Sequence, residues 1–361
     1  MRVLAAMSGG VDSSVAAARL LDEGHEVVGV TLKLWGGESD SGCCSVSDVD
    51  DARRVADHLG IEHHVFAFAD DFTRHVVDPY VADHAAGRTP NPCIECNRHV
   101  KFDRLLRRAV ALGFDAVATG HHARIATRPD GTRRVGRGID PAKDQSYVLH
   151  MLDQDAMART LLPIGHLTKA EVRAEAARRG LRTAAKPDSQ DVCFITRGGR
   201  EAFLGRRIPL RPARVVDGEG RPVGTVDAIE LVTVGQRRGL HLAGAGAPRY
   251  AVEVDVEAGV VVVGDEDDLR VDEVDLDGVT WAAGPVAGAL LAQGSAHGEA
   301  VPVVAQPGAA PTTSHPWPAS GALVGTGTAR LRFAEPRRRI APGQSVVLYD
   351  GDDVVGGGTA R

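Results

Sequence analysis

Two groups of side chains in this chain have the chemistry to make and break bonds, and they lie far apart in sequence. The first is Ser8-Gly9-Gly10-Val11-Asp12-Ser13-Ser14, directly after the apolar run Val3-Leu4-Ala5-Ala6-Met7. It reads as a phosphate-binding turn between a first strand and a first helix. Two glycines let the backbone approach an anion, and the hydroxyls of Ser8, Ser13 and Ser14 add donors to the N–H groups at the helix start. Asp12 suits a Mg²⁺ ion held against phosphates, or a plain helix cap. The lysine of G-x-x-x-x-G-K-[ST] is missing, which separates this turn from a Walker loop. A glycine turn of any doubly wound fold is the bland alternative.

The second group is sulfur. Thr89-Pro90-Asn91-Pro92-Cys93-Ile94-Glu95-Cys96-Asn97 places a C-x-x-C pair on a proline-stiffened loop ahead of a helix carrying Lys101. A helix N-terminus stabilises a thiolate and so prepares a sulfur for attack. A structural zinc site would need a second ligand pair of similar spacing, and the chain has none. Cys193, in Asp188-Ser189-Gln190-Asp191-Val192-Cys193-Phe194, is the one cysteine far along the chain; a small core residue is its ordinary alternative. Cys43 and Cys44 follow a glycine-rich turn and receive no catalytic role. Five cysteines without a secretion signal argue against a disulfide framework and for reactive or metal-bound thiols.

The elements that must position these groups alternate at first. Residues 3–7 read as strand, 13–22 as helix ending near Gly24, and Val27 to Leu34 as strand. Ser47 can cap a helix over 48–59 that stops at Gly60, and His64 to Phe68 is a third strand. A helix over about 100–112 ends at Gly113, and strand Asp115 to Thr119 delivers Gly120-His121-His122 to the next loop. Thr168-Lys169-Ala170-Glu171 is a capping box opening a helix to Gly180. The alternation predicts a mostly parallel sheet with its site at the strands' carboxyl ends. After about residue 206 helical periodicity disappears, and Asp217-Gly218-Glu219-Gly220 and Glu257-Ala258-Gly259 look like hairpin turns. Residues 282–327, rich in Ala, Gly and Pro, suggest a poorly specified or mobile stretch. A last hairpin turns at Asp350-Gly351-Asp352. The expected units are 1–206, with a helical segment from about 141, then 207–275 and 276–361.

With 361 residues the chain is long enough for two or three domains. Its net charge of −6 is modest, so any nucleic-acid contact must come from local patches. The dense run Arg197, Arg200, Arg206, Arg207, Arg211, Arg214 is the best candidate for an RNA backbone. No signal segment or membrane-length apolar run is apparent, and a cytoplasmic location is expected.

Taken in order, S-G-G-V-D-S, T-P-N-P-x-x-x-C-N, A-T-G-H-H-A-R, K-D-Q-S-Y, S-Q-D-V-C-F-I and V-G-Q-R-R-G-L resemble the bacterial tRNA-specific 2-thiouridylase family of the PP-loop ATPases, over nearly the whole chain. The resemblance implies an α/β, Rossmann-like PP-loop domain with a parallel sheet, followed by two small β-rich, barrel-like domains. It implies ATP cleaved between its α- and β-phosphates, with Mg²⁺. Ala6, Met7, Ser8, Gly9, Gly10, Val11, Asp12 and Ser13 would bind ATP, and Leu32 and Gly120 would line the adenosine pocket. The wobble uridine of a tRNA anticodon arm would be adenylated on its 2-carbonyl oxygen. Cys193 would carry a persulfide delivered by a sulfur-relay protein, Cys96 would be the second thiol and nucleophile, and the two would end as a transient disulfide. His121, Lys143, Asp144, Gln145 and Gln344 would contact tRNA.

One departure concerns Cys93, where many family members carry aspartate. Cys93 would then act as proton acceptor or resolving thiol, or Cys93, Cys96 and Cys193 would together hold an iron–sulfur cluster with one open iron. Two other readings are another PP-loop ligase or amidotransferase, and a noncatalytic tRNA-binding or iron–sulfur protein. The paired distant thiols count against the former, the intact S-G-G-V-D-S against the latter.

Overall fold

The computed structural model describes residues 1–34, 46–188, 192–195, 199–242, 247–308 and 327–361. Cys43 and Cys44 lie outside these residues.

Strands β1 (Arg2–Ala6), β2 (Glu26–Lys33), β3 (His63–Ala67) and β4 (Ala116–Ala118) form, with a short later strand, a five-stranded parallel sheet. The spatial order is β3-β2-β1-β4, then β7 (Thr160–Leu161) at the edge. The chain moves outward from β1 to β3 on one side and returns to the other side at β4. The carboxyl ends of β1 and β4 therefore flank the switch point where α/β sheets bind ligands. Val3, Leu4, Val27 and Val117 are buried, as a sheet covered on both faces requires. Helix α1 (Val11–Asp22) begins two residues earlier than its periodicity suggests, so Asp12 sits in its first turn. Helix α2 (Val46–Leu59) encloses Ser47 rather than starting after it.

The chain then departs from expectation. A hairpin of β5 (Ala123–Thr127) and β6 (Arg133–Arg137) follows β4, leaves the parallel sheet and joins the last unit. Two hairpins, β8 (Ala213–Val216) with β9 (Pro222–Val226) and β10 (Tyr250–Asp255) with β11 (Val260–Gly264), turn where expected and form one four-stranded sheet. The remaining strands are β12 (Arg270–Trp281), β13 (Gly288–Gln293), β14 (Val301–Pro307), β15 (Gly327–Arg338), β16 (Ser345–Asp350) and β17 (Asp353–Ala360). The pairing of β12 with β17 closes these six into a barrel, which removes exposed edges. β12 runs unbroken across the limit expected at 275/276. β13 and β14 lie within the stretch read as poorly specified, because alternate residues such as Leu290, Ala292, Val303 and Ala305 fill the barrel core; residues 309–326 are not described.

The barrel is fastened to the first unit by buried and half-buried polar contacts. Tyr147 Oη donates to the Ser345 carbonyl at 2.7 Å, Ser146 Oγ and Tyr349 Oη lie 3.1 Å apart, and the Thr89 N–H donates to the Pro342 carbonyl at 2.8 Å. The Arg137 guanidinium lies 3.9 Å from the Tyr349 ring centre. His150 is packed in the same seam, its Nδ1 donating to the Tyr147 carbonyl at 3.1 Å. A Cβ on Gly357 would stand 2.6 Å from the His150 ring, so the barrel backbone can approach only at glycine. Burial, with Arg98 nearby, lowers the imidazole to about 4 from 6.5 against the opposing effects of the Tyr147 carbonyl and Glu95. The unfolded chain takes up this proton below its ordinary pKa of about 6.5, whereas the folded protein resists until about 4, so stability is full above that range and falls as pH drops through it. Denaturant unfolding at pH 7.5 and 5 should show the wild type losing about 2 kcal/mol relative to His150→Gln. A pH-independent difference between the two proteins would refute this.

Candidate active site

The loop Ser8–Gly10 leaves β1 and enters α1 as expected, and its own hydroxyls shape it. Ser13 Oγ accepts from the Ser8 N–H at 3.1 Å and donates to the Gly10 carbonyl at 3.1 Å, while Ser14 Oγ donates to the same carbonyl at 2.8 Å. Gly9 has φ +73°, and a side chain there would run into the Asp48 backbone at the start of α2. Gly120 comes off β4 onto this loop: a Cβ would lie 2.6 Å from Ser13 N. Met7 N–H donates to the Val30 carbonyl at 2.8 Å and Thr31 Oγ1 to the Met7 carbonyl at 2.7 Å, which places the end of β2, with buried Leu32, beside the loop. The residues expected around ATP thus come from the ends of three adjacent strands. Gly120→Ala should lower ATP affinity at least tenfold, because the backbone atoms it meets are fixed. Titration of ATP into the variant checks this, and unchanged affinity would contradict the close approach.

Asp12 is held by an ammonium and an imidazole that the sequence did not single out. Lys169 Nζ lies 2.8 and 2.7 Å from its two oxygens, and His122 Nε2 lies 3.2 Å from Oδ1. Burial raises the Asp12 pKa, but the hydrogen bonds from His122 and Lys169 outweigh it and the carboxyl stays below the ordinary value. Asp12 is therefore an anion at neutral pH. Lys169 opens the helix Lys169–Arg178, whose Thr168–Glu171 capping box fixes its first turn. The same ammonium reaches Asp188 Oδ1 at 2.9 Å, and Asp188 also pairs with Lys143 at 2.8 Å and Arg173 at 2.6 Å. Burial opposes ionisation of Asp188, yet Lys143 and Lys169 push its pKa well down. Two further contacts tie the segment before Cys193 to the loop. Thr183 Oγ1 donates to Ser14 Oγ at 3.1 Å, and Lys186 Nζ donates to the Gly9 carbonyl at 3.0 Å while pairing with Asp48 and Asp51 at 2.7 Å each.

The thiols sit differently from expectation. The helix begins at Pro92, not near 100: Asn91 Oδ1 accepts from the Cys93 N–H at 3.1 Å and Pro92 occupies the first turn. An Asn cap followed by Pro is a start signal visible in the sequence, hidden by the second proline at 90. Cys93 is exposed in the first turn, and Cys96 is buried one turn further, where the widened turn Cys96–Leu105 begins. Cys193 is half-buried at the edge of the same hydrophobic core. Its neighbour Phe194 anchors it there, 5.6 Å from Phe72, 5.4 Å from Tyr80 and 5.1 Å from Phe203 between ring centres. Among the described residues no group of three or more His, Cys, Asp or Glu side chains is placed to hold a metal ion.

The residues expected on tRNA divide into two kinds. Lys143 is 40% exposed and presents a charge despite its pairing with Asp188. Asp144, by contrast, accepts from Arg137, the Gly138 N–H, and both the N–H and hydroxyl of Ser146 at 2.8 to 3.0 Å. Gln145 clasps His122, accepting from its N–H and donating to its carbonyl at 2.9 Å each. His121 is buried against Phe102, with Nδ1 2.7 Å from Thr119 Oγ1; burial, then Lys101 and His122, keep its pKa well below the usual value. Gln344, on the barrel loop that meets Thr89, accepts from the Ala341 N–H at 3.3 Å.

An S-G-G-V-D-S loop at the carboxyl ends of a parallel sheet, with two thiols at one core of the same unit and a closed barrel after it, is the arrangement of a PP-loop protein. Family models match in succession: tRNA methyl transferase HUP domain over residues 1–197, tRNA methyl transferase PRC-barrel domain over 201–265 and aminomethyltransferase beta-barrel domain over 312–360. The chain is 45% identical to the tRNA-specific 2-thiouridylase MnmA of Roseiflexus sp. (strain RS-1), covering 99% of this chain and 98% of that protein. It is 46% identical to the protein of that name from Mycolicibacterium smegmatis, with 99% of each covered, and 48% identical to that of Frankia casuarinae, with 100% and 99% covered. The chain belongs to the tRNA-specific 2-thiouridylase family. The methyl-transfer wording attaches to the domain descriptions; the full-length relatives are named for thiolation.

Proposed function

We propose that this protein is an ATP-dependent tRNA sulfurtransferase that converts the wobble uridine to 2-thiouridine. The observation that carries the reading is the union of an intact S-G-G-V-D-S loop with Cys96 and Cys193 at one hydrophobic core, in a chain matching 2-thiouridylases end to end. ATP occupies the ends of β1, β2 and β4, its pyrophosphate against the loop and its adenosine against Leu32 and Gly120. Asp12 suits Mg²⁺, which takes one or two carboxylates and completes its shell with phosphate oxygens and water. When bound, the ion offsets the charge that builds on the pyrophosphate leaving group.

The uridine 2-oxygen attacks the α-phosphorus, pyrophosphate leaves, and the N3 proton is lost. The outer sulfur of a Cys193 persulfide then attacks C2 and AMP departs. The Cys96 thiolate attacks the Cys193 sulfur, which breaks the S–S bond and leaves sulfur on C2. The product is a Cys96–Cys193 disulfide, reopened by an external dithiol. A sulfur-relay protein recharges Cys193. Among the proposed tRNA contacts, Lys143 and Gln344 touch the RNA, while Asp144, Gln145 and His121 shape the surface beneath. The exposed Arg206, Arg211 and Arg214 extend the track along the junction with the middle sheet.

Incubation with ATP, a persulfide donor, a dithiol and unmodified tRNA tests this. Thiolated nucleoside and AMP should appear in equal amounts. AMP without thiolation would favour another PP-loop ligase, and neither product would favour a noncatalytic binder.

A further inference from the structure

The loop lacks the lysine with which a Walker motif grips phosphate, yet an ammonium stands at its mouth. Lys169 Nζ, on a side chain 12% exposed, touches three carboxylate oxygens among the described residues: both of Asp12 and one of Asp188. These partners are not equivalent. Asp188 keeps Lys143 and Arg173 if Lys169 turns away. Asp12 is the residue suited to Mg²⁺, and a carboxylate claimed by a divalent cation no longer favours an ammonium beside it. A largely buried ammonium that loses one of its two carboxylates gains from another anion. The anion that this loop and the N-terminus of α1 are built to hold is a polyphosphate.

We infer that Lys169 is a phosphate-binding residue supplied from outside the loop, parked on Asp12 until nucleotide arrives and then transferred to the phosphates of ATP. The inference rests on the ATP-binding reading above and names a residue that the sequence motifs do not include. Lys169 thereby does what the missing loop lysine does elsewhere. Its attachment to the rigid first turn of a capped helix fixes where the charge can swing. Asp12 consequently has two successive partners, Lys169 before nucleotide binds and Mg²⁺ after.

Equilibrium binding of ATP and of adenosine to the full-length wild type, Lys169→Met, Asp12→Asn and the double variant, all in EDTA, separates phosphate binding from mere neutralisation of Asp12. Expected are about a tenfold or greater loss of ATP affinity in Lys169→Met relative to wild type, and a like loss in the double variant relative to Asp12→Asn, with adenosine affinity unchanged throughout. If Lys169 only masks Asp12, the double variant binds ATP as well as Asp12→Asn does, and the inference falls. Equal losses for ATP and adenosine also overturn it. Should Lys169→Met fail to fold, the polar Lys169→Gln, of similar length, is measured in the same four-way comparison. A wild type that binds no ATP with or without Mg²⁺ would defeat the functional reading itself, a distinct result.

Discussion

Cys193→Ser and Cys96→Ser are each expected to abolish 2-thiouridine formation, by about 10³-fold or more, while ATP affinity stays at the wild-type level. The two losses differ in kind. Without Cys193 no persulfide forms on the chain, and incubation with the donor leaves no transferable sulfur on it. Without Cys96 the persulfide forms and attacks, but the resulting Cys193–S–S–C2 link has no internal thiol to open it. Cys96→Ser should therefore release one AMP per site and accumulate a protein–tRNA adduct that an added dithiol dissolves. Denaturing gels of labelled tRNA with and without dithiol distinguish the variants. Full thiolation in either one would contradict the division of labour. Cys193 is half-buried and Cys96 buried; the proposed roles require a donor protein to reach the first and the second to be kept from water and stray oxidants.

The second large effect is expected at Asp12. Asp12→Ala should lower AMP and pyrophosphate formation on the order of 10²-fold or more, through loss of Mg²⁺ at the leaving group. tRNA affinity should stay within about twofold, since Asp12 pairs with Lys169 and His122 and with none of the residues proposed to touch tRNA. Nitrocellulose filter binding with labelled tRNA, beside thin-layer analysis of ATP products, measures both. Wild-type AMP formation would refute the Mg²⁺ role, and parallel loss of tRNA binding would show a general disturbance instead.

What the sequence made legible follows from how local each signal is. The S-G-G-V-D-S turn, the Thr168–Glu171 capping box and the hairpin at Asp350–Asp352 are each determined within a few residues, and all three stand where they were expected. The β5–β6 hairpin was missed because its edge pairs with β17, more than two hundred residues later. The start of the cysteine helix was misplaced because Pro90 and Pro92 together read as a loop, while one of them is a helix-opening proline. The K-D-Q-S-Y motif carries more structure than its resemblance suggested: Asp144, Ser146 and Tyr147 lock the barrel to the first unit, which leaves Lys143 as the exposed charge. Lys169 could not be found by spacing. It sits 157 positions from Asp12, inside a helix whose sequence advertises only its cap.

The central claim is that the loop activates the uridine oxygen itself. It is tested most directly with tRNA whose wobble uridine carries ¹⁸O at the 2-carbonyl, in a single turnover with ATP and persulfide-charged protein. The account predicts that the released AMP carries the label on its phosphate, one atom for each 2-thiouridine made. Thiolated tRNA accompanied by unlabelled AMP would show that the oxygen was never adenylated, and would contradict it.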